Sequence, residues 1–217
     1  MVESMPKYKA ILFDLDGTLC DTDEMVVQSF FELYKAYKPT KVRTREELYY
    51  FSGPPIKDTL KNEFPDYPFD EMYNAFQRVS RALYLPYVKE YKDEIEILTK
   101  LKQAGYLLGV VTNKGAPLTK YSLEICHIEN MFDVVISADD VASPKPQPLG
   151  IFKAMEKLGI IDKKEILYVG DNDIDDLTAK NAEVDSLLVT WGPREIKRKK
   201  LANYLANSYL EMGEILL

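Results

Sequence analysis

Short apolar runs that alternate with helical patterns constrain the fold of this chain more than any other feature. Five runs of three to six residues are mostly apolar, which is typical of strands covered on both faces. Between them, apolar residues recur at helical spacing, and a glycine ends the pattern at Gly105 and at Gly159. The runs lie at residues 10–13, 106–111, 134–136, 166–169 and 186–189.

Strands that alternate with helices predict an α/β protein with a doubly wound parallel sheet and a Rossmann-like core, connected by right-handed crossovers. One stretch interrupts the alternation. Residues 21–84 show no convincing strand, but their apolar residues fall at helical spacing, as at Val26 and Phe30. We therefore predict a small helical domain of residues 21–84, inserted after the first strand. The remaining residues, 1–20 and 85–217, form a discontinuous core domain.

Charge and composition limit the partners. The chain has 35 acidic and 28 basic residues and a net charge of -7, so a duplex nucleic acid is not expected as a ligand. The basic run at 197–200 predicts a solvated helix face. No stretch approaches the roughly 18 apolar residues of a membrane span, and the first ten residues lack the apolar run of a secretory leader. Cys20 and Cys126 allow one disulfide, although free thiols are expected. We expect a cytoplasmic monomer or weak homodimer without a membrane partner.

The first apolar run leads directly into two aspartates. The period of two along an extended chain places Asp14 and Asp16 on the same side. Carboxylates so close repel each other, so the pKa of one should rise and a cation would relieve the repulsion. Gly17 can turn the chain here. A strand end with an Asx turn at Asp16 is the alternative interpretation.

A second acidic cluster follows the run at 166–169. Four aspartates lie within residues 171–176, and such a density costs repulsion unless a metal or a helix N-terminus offsets it. Asp171 and Asp175 are four residues apart and can meet if a helix begins here. An acid-rich helix cap is the alternative, and it explains Asp171 less well because Asp171 lies at the strand end.

Two further strand ends carry polar groups. Thr112 and Asn113 follow the run at 106–111, and Lys145 lies in a proline-rich loop after the run at 134–136. Each would be unremarkable alone, as a turn or an exposed lysine. All four clusters, however, lie at the carboxyl ends of predicted parallel strands, where open α/β sheets bind ligands. Acids for a hard cation, a lysine and small polar donors together suit a phosphoryl group.

Four segments, in order, resemble the four motifs of the haloacid dehalogenase superfamily: FDLDGTL, VVTN, the lysine of SPKPQP, and VGDNDID. Within it, the chain resembles the phosphoglycolate phosphatase and pyrophosphatase-type branch. The resemblance covers nearly the whole chain, with residues 21–84 as a small cap and TWG at 190–192 after the last strand. It implies a Mg²⁺-dependent phosphatase that acts on a small phosphorylated metabolite through an aspartyl-phosphate.

The resemblance also implies roles for the motif residues. Asp14 would be the nucleophile, and Asp16 would protonate the leaving oxygen and then activate water. Thr112 and Asn113 would bind phosphoryl oxygens. Lys145 would neutralise both Asp14 and the phosphate.

The same resemblance implies a Mg²⁺ site. The ion would be held by Asp14, the backbone carbonyl of Asp16 and Asp171, with Asp175 ligating directly or through water. Dehalogenases and phosphonate hydrolases of this superfamily lack the second aspartate, so Asp16 disfavours both.

Alternatives and a substrate expectation accompany this interpretation. A β-phosphoglucomutase-like sugar phosphomutase shares all four motifs. A catalytically silent binding or regulatory protein is the alternative from another class, and the intact set of charged residues argues against it. In the cap, the positive charge of Lys57 near the turn at 53–55 favours a compact anionic leaving group such as that of phosphoglycolate or pyrophosphate. Arg78 and Arg81 could add positive charge, although surface exposure is expected for both.

Overall fold

A computed structural model describes residues 7–217. In chain order the strands and helices are β1 (Ala10–Phe13), β2 (Cys20–Asp21), α1 (Asp23–Tyr37), α2 (Arg45–Tyr49), α3 (Ile56–Glu63), α4 (Phe69–Tyr87), β3 (Lys89–Glu90), α5 (Glu94–Gln103), β4 (Leu107–Val111), α6 (Ala116–Ile125), β5 (Val134–Ile136), α7 (Leu149–Leu158), β6 (Ile166–Gly170), α8 (Asp173–Ala182), β7 (Asp185–Val189), β8 (Tyr204–Ala206) and α9 (Tyr209–Leu216).

Within residues 7–217, six strands form one sheet in the order β5-β4-β1-β6-β7-β8, and every pair is parallel. The predicted doubly wound parallel sheet is confirmed. β1 lies in the middle, with Phe13 opposite Val110 of β4 and Val169 of β6. The chain builds one side of the sheet first and the other side afterwards, so the order reverses beside β1. Ligands of open α/β sheets bind at such a reversal.

The two faces of β1 show why an apolar run forms this strand. Ala10 and Leu12 pack with α7 and α8 in one apolar cluster, and Ile11 and Phe13 pack into a second cluster on the opposite face. All four residues are fully buried. Because successive side chains of a strand point to opposite faces, a strand between two helical layers needs apolar residues at every position.

The structure adds two features that the sequence patterns did not predict. β8 is a sixth strand at the edge of the sheet, beside β7. β2 and β3 pair as an antiparallel ribbon where the chain leaves and re-enters the core. The basic run at 197–200 lies in turns, so the prediction of a helix face there is wrong.

After Asp21, which ends β2, the inserted segment, all of which the structure describes, contains the four helices α1 to α4 and no strand, as expected, and α4 continues to Tyr87. The helices pack around an aromatic core in which the ring of Phe30 lies 4.7 Å from Phe51 and 5.7 Å from Phe76, between centroids. The β2–β3 ribbon holds together the two ends of this inserted segment. The division into a cap and a core at these boundaries stays a prediction.

No helix within residues 7–217 is both long enough and apolar enough to cross a membrane. Cys20 and Cys126 are free thiols and are buried. Most of the residues on which the expectation about a secretory leader depends, 1–6, lie outside the described residues.

Candidate active site

The ends of three neighbouring strands bring predicted site residues to one edge of the sheet. The amide of Asp14 donates to the carbonyl of Val169 at 2.8 Å, and the amide of Thr112 donates to Ile136 at 3.0 Å. Both residues therefore continue the sheet pairing one position beyond β1 and β4. Asp171 follows β6 directly. The order β4-β1-β6 places the three residues side by side at the reversal of the strand order.

Lys145 lies between two carboxylates at this edge. Its Nζ is 2.7 Å from Oδ1 of Asp14 and 2.7 Å from Oδ1 of Asp175, and it donates to the Tyr168 hydroxyl at 3.1 Å. The Lys145 side chain is only 3% exposed. Its backbone is held by Asn113, whose Oδ1 accepts from the Lys145 amide at 2.8 Å. The lysine of the proline-rich loop is therefore a fixed and buried counter-charge.

Burial raises the pKa values of the three carboxyls at this edge, because it penalises the charged form. The pKa of Asp14 is raised although the Lys145 cation opposes the effect, and the pKa of Asp171 is raised against the opposing charge of Arg194. Burial raises the pKa of Asp175 to about 6. For Lys145, burial lowers the pKa, but Asp14 and Asp175 outweigh burial and the pKa lies well above its usual value. Lys145 is thus a permanent cation among carboxyls that a further cation would stabilise.

Asp14, Asp171 and Asp175 form a cluster that fits a metal ion. One oxygen of each lies within 4.8 Å of the other two, and all three residues are buried. Oδ2 of Asp14 is buried and has no hydrogen-bond partner among residues 7–217, which is rare for such an oxygen. Carboxylate oxygens are the preferred ligands of hard divalent cations. The side chain of Asp16 points elsewhere, and the expected contribution of its backbone carbonyl stays a prediction.

The helix that follows β6 separates the roles of two adjacent acids. Asn172 caps α8, and its own amide donates to Oδ2 of Asp175 at 3.1 Å. Asp175 therefore faces the cluster, with its other oxygen on Lys145. Asp176 turns away, accepts from the Ser186 hydroxyl at 3.1 Å and pairs with Arg198 at 2.7 Å. The cap of α8 therefore involves Asp175, the candidate metal cluster involves Asp171 and Asp175, and Asp176 is held by Ser186 and Arg198.

Asp16 contacts a lysine that the sequence analysis missed. Its Oδ1 accepts from the Thr22 hydroxyl at 2.7 Å and also contacts Nζ of Lys114. The Lys114 side chain is 10% exposed, and Nζ lies 5.3 Å from the centroid of the Tyr84 ring. Burial lowers the pKa of Lys114, but the interactions with Asp16 and Tyr84 together outweigh burial and the pKa is raised. The available signal was its position, one residue beyond VVTN at a strand end.

Arg194 is the second site residue that the sequence analysis missed. Its guanidinium contacts the carboxylates of Asp171 and Asp23 and donates to the Tyr49 carbonyl at 3.2 Å. Burial raises the pKa of Asp23 to about 6, although the Arg194 charge opposes the effect. TWG at 190–192 precedes Arg194, but no periodic pattern in this segment indicates where its side chain points.

A cavity of about 80 Å³ opens between the strand ends and the inserted segment. A cavity needs a volume of only roughly 10–15 Å³ to hold a single water, so this cavity is large enough for a small molecule. The core side of its wall is polar and the side from the inserted segment is mostly apolar. The wall includes Asp14, Asp16, Thr112, Asn113, Lys114, Ser52, Gly53, Tyr73, Phe76 and Tyr84.

The positive charges expected from the inserted segment lie away from this cavity. Lys57, Arg78 and Arg81 are exposed and are not part of the cavity wall. The surface exposure expected of Arg78 and Arg81 is therefore confirmed, and the expectation that Lys57 favours an anionic leaving group is wrong. The cation in the wall is Lys114, which comes from the core.

Comparison with known proteins agrees with the resemblance that the sequence motifs show. A sequence model of the family described as "Haloacid dehalogenase-like hydrolase" matches residues 11–189. The chain is 37% identical over 182 residues to "Pyrophosphatase PpaX" from Bacillus velezensis, which covers 84% of this chain and 83% of that protein. It is 35% identical over 207 residues to the protein of the same name from Anoxybacillus flavithermus, with 95% and 94% covered.

A solved structure has the same fold. It is described as a "predicted phosphoglycolate phosphatase" from Haemophilus somnus, and the match covers 99% of this chain and 100% of that one. The TM-score is 0.83 at 22% sequence identity.

Proposed function

The chain belongs to the haloacid dehalogenase-like hydrolase family, and we propose that it hydrolyses a compact phosphorylated metabolite with Asp14 as nucleophile and Mg²⁺ as cofactor. It is a hydrolase of the phosphatase type, as its relatives are. One observation carries the mechanistic proposal. Oδ2 of Asp14 is buried without a partner while Oδ1 is held by Lys145, which is the arrangement expected of a carboxylate with one oxygen kept for reaction.

In the first step, the free oxygen of Asp14 attacks phosphorus and the bond from phosphorus to the leaving oxygen breaks. The product is an aspartyl-phosphate on Asp14. Lys145 stays paired with the other oxygen of Asp14 and offsets the charge of the phosphoryl group. Thr112 and Asn113 lie in the cavity wall and bind the phosphoryl oxygens that do not react, Thr112 through its hydroxyl and Asn113 through its backbone N–H. The side-chain amide of Asn113 already donates to the carbonyls of Gly53 and Lys145.

Asp16 moves the protons in both steps. It lies in the cavity wall, and its Oδ1 is fixed by Thr22 and Lys114. When protonated, Asp16 gives its proton to the leaving oxygen. The resulting carboxylate then takes a proton from the water that attacks phosphorus, which breaks the acyl-phosphate bond and restores Asp14.

The metal would be held by Asp14, Asp171 and Asp175, with the backbone carbonyl of Asp16 as a further ligand. Such an ion neutralises negative charge and orients the phosphoryl group toward the nucleophile. The ligand set consists of oxygens, and Mg²⁺ is the hard cation that binds through a few carboxylates together with substrate phosphate.

The cavity favours a substrate whose leaving group is small and carries oxygens. Lys114 supplies a positive charge in the wall, and two hydroxyls from the inserted segment, Ser52 Oγ and Tyr84 OH, are buried without hydrogen-bond partners among the described residues. A buried hydroxyl without a hydrogen-bond partner is unfavourable, so a ligand that hydrogen-bonds to it is bound more tightly. Pyrophosphate or phosphoglycolate fits these requirements, and the name of the similar Bacillus proteins, pyrophosphatase, supports the first.

A panel of substrates tests this function. Phosphate release is measured for pyrophosphate, phosphoglycolate, several sugar phosphates and nucleotides, with Mg²⁺ and with excess EDTA. We expect Mg²⁺-dependent release, fastest for pyrophosphate and phosphoglycolate. Lys114→Met should lower kcat/KM for them more than for an aryl phosphate whose aryl group carries no charged substituent.

Three results would contradict parts of the proposal. A sugar phosphate or nucleotide preferred about tenfold, or about 1.4 kcal/mol, would refute the substrate class alone. Activity on sugar phosphates that needs a bisphosphate activator would indicate a phosphomutase. Absence of turnover on the whole panel would indicate a binding protein.

A further inference from the structure

Arg194 links the candidate metal cluster to the inserted segment. Its Nη2 contacts Oδ2 of Asp171, and its Nη1 contacts Oδ1 of Asp23 and donates to the Tyr49 carbonyl at 3.2 Å. Asp23 begins α1 and Tyr49 ends α2, so both of these partners belong to the inserted segment. One guanidinium therefore joins a proposed metal ligand to two positions in the helical segment above it.

Because Arg194 is deeply buried, the position of its guanidinium depends on these partners. The exposed fraction of the side chain is 2% for Arg194, 6% for Asp23 and 3% for Asp171. Nε of Arg194 is buried and has no partner within residues 7–217. A charge at this depth must keep a partner, because an uncompensated buried charge is strongly unfavourable. The guanidinium can exchange one carboxylate for the other, but it cannot give up both.

The loop that follows β1 is shaped around this ion pair. Gly17 has a φ of +83°, and a Cβ placed on it would lie 2.3 Å from Nη2 of Arg194 and 2.3 Å from Oδ2 of Asp171. Trp191 Nε1 donates to the Gly17 carbonyl at 3.0 Å, so the segment that carries Arg194 is attached to the same loop. Glycine at this position provides the turn and also makes room for the guanidinium.

Asp171 thus faces two cations. With Asp14 and Asp175 it would hold the metal, while its Oδ2 already contacts Arg194. Two cations beside one carboxylate repel each other. We propose that Arg194 competes with the metal for Asp171, and that metal binding shifts the guanidinium toward Asp23 and the Tyr49 carbonyl. Arg194 is then a positioning residue that couples occupancy of the metal site to the inserted segment. This inference rests on the proposed metal site.

Calorimetric titration of the metal-free protein with Mg²⁺ tests the competition. Arg194→Gln removes the competing cation, so its affinity for Mg²⁺ should rise about tenfold or more. Arg198→Gln is the matched control, because Arg198 lies in the same segment and pairs with Asp176 at 2.7 Å, outside the cluster. Its affinity should stay within about twofold of the wild type. If Arg194 only supports the structure, its loss misplaces Asp171 and weakens Mg²⁺ binding instead.

A second measurement uses the wild-type protein and does not depend on the folding of Arg194→Gln. The buried Nε–H of Arg194 should give a protected ¹⁵N–¹H signal, assigned by its loss in Arg194→Lys. We expect Mg²⁺ to shift this signal, with the same titration midpoint as in calorimetry. The Nε–H signal of Arg198 should not shift.

The outcomes separate this inference from the proposed function. An unmoved Arg194 signal at saturation overturns the inference alone. So does an Arg194→Gln affinity equal to or below that of the wild type, or an equal gain in Arg198→Gln. If the wild type binds no Mg²⁺ and releases no phosphate, the proposed function fails and this inference fails with it.

Discussion

Replacing Lys145 by Met tests the charge balance of the site. Methionine keeps most of the length of the side chain but removes the ammonium that lies 2.7 Å from both Asp14 and Asp175. Loss of one partner of a buried ion pair costs about 3–5 kcal/mol, because the remaining charge has no compensation. The free energy of unfolding of the metal-free variant should fall by about that amount near pH 8.

The loss should be smaller in acid. Burial raises the folded-state pKa of Asp14 and brings that of Asp175 to about 6. Stability from such a group is present below the unfolded pKa and is lost as pH rises through the folded pKa. Without Lys145 both pKa values rise further, so lowering the pH toward 5 protonates Asp175 and shifts Asp14 toward its neutral form, which reduces the unpaired charge. The remaining loss should be about 1–2 kcal/mol, the scale of the missing hydrogen bonds.

Urea unfolding followed by circular dichroism, in EDTA at both pH values, measures the two differences. Lys120→Met is the matched control, because the Lys120 side chain is 79% exposed and its Nζ is 3.7 Å from Oε1 of Glu124. The control should change by less than about 0.5 kcal/mol at either pH. A loss under about 1 kcal/mol near pH 8, or an equal loss at both pH values, would refute the reasoning.

Three other predictions follow from the same structure. Asp14→Asn should keep the free energy of unfolding at or above that of the wild type while phosphate release falls at least about a thousandfold, and near-normal turnover by the pure variant would exclude Asp14 as nucleophile. Mg²⁺ should be required for phosphate release and Ca²⁺ should inhibit, because Ca²⁺ accepts more oxygens and can engage both oxygens of Asp14; full turnover in excess EDTA would exclude the metal. Burial raises the pKa of Glu94 to about 8, so wild-type stability should fall as pH rises toward 8, and Glu94→Gln should be more stable by about 2–4 kcal/mol near pH 8. Equal urea midpoints for Glu94→Gln and the wild type at that pH would contradict the last prediction.

The parallel sheet was predictable because each strand of its interior is a short apolar run, and burial on both faces requires that pattern. β8 was not predictable in this way. It has three residues, Leu205 is 40% exposed, and the strand exists through its pairing with β7. The two-residue strands β2 and β3 likewise depend on each other and carry no pattern of their own.

The candidate site also has a part that the sequence predicts and a part that it does not predict. Asp14 and Asp171 follow apolar runs closely, and Lys145 lies in the loop after a third run, so the ends of the strands indicate that they lie together. Lys114 and Arg194 depend on how loops pass over that edge. Lys114 contacts Asp16 across 98 positions of the sequence, and Arg194 contacts Asp23 across 171. The local spacing of residues does not indicate contacts between positions so far apart in the sequence.

Trapping the phosphorylated enzyme tests the central claim most directly. The variant Asp16→Asn is mixed with p-nitrophenyl phosphate and Mg²⁺ and quenched in acid. This leaving group departs without a proton, so the first step proceeds while the second lacks its base. We predict a burst of nitrophenol close to the enzyme concentration and a phosphoryl group on the peptide that contains Asp14, both absent from Asp14→Asn/Asp16→Asn. A phosphoryl group on another residue, or steady turnover with neither burst nor phosphorylated peptide, would contradict the account.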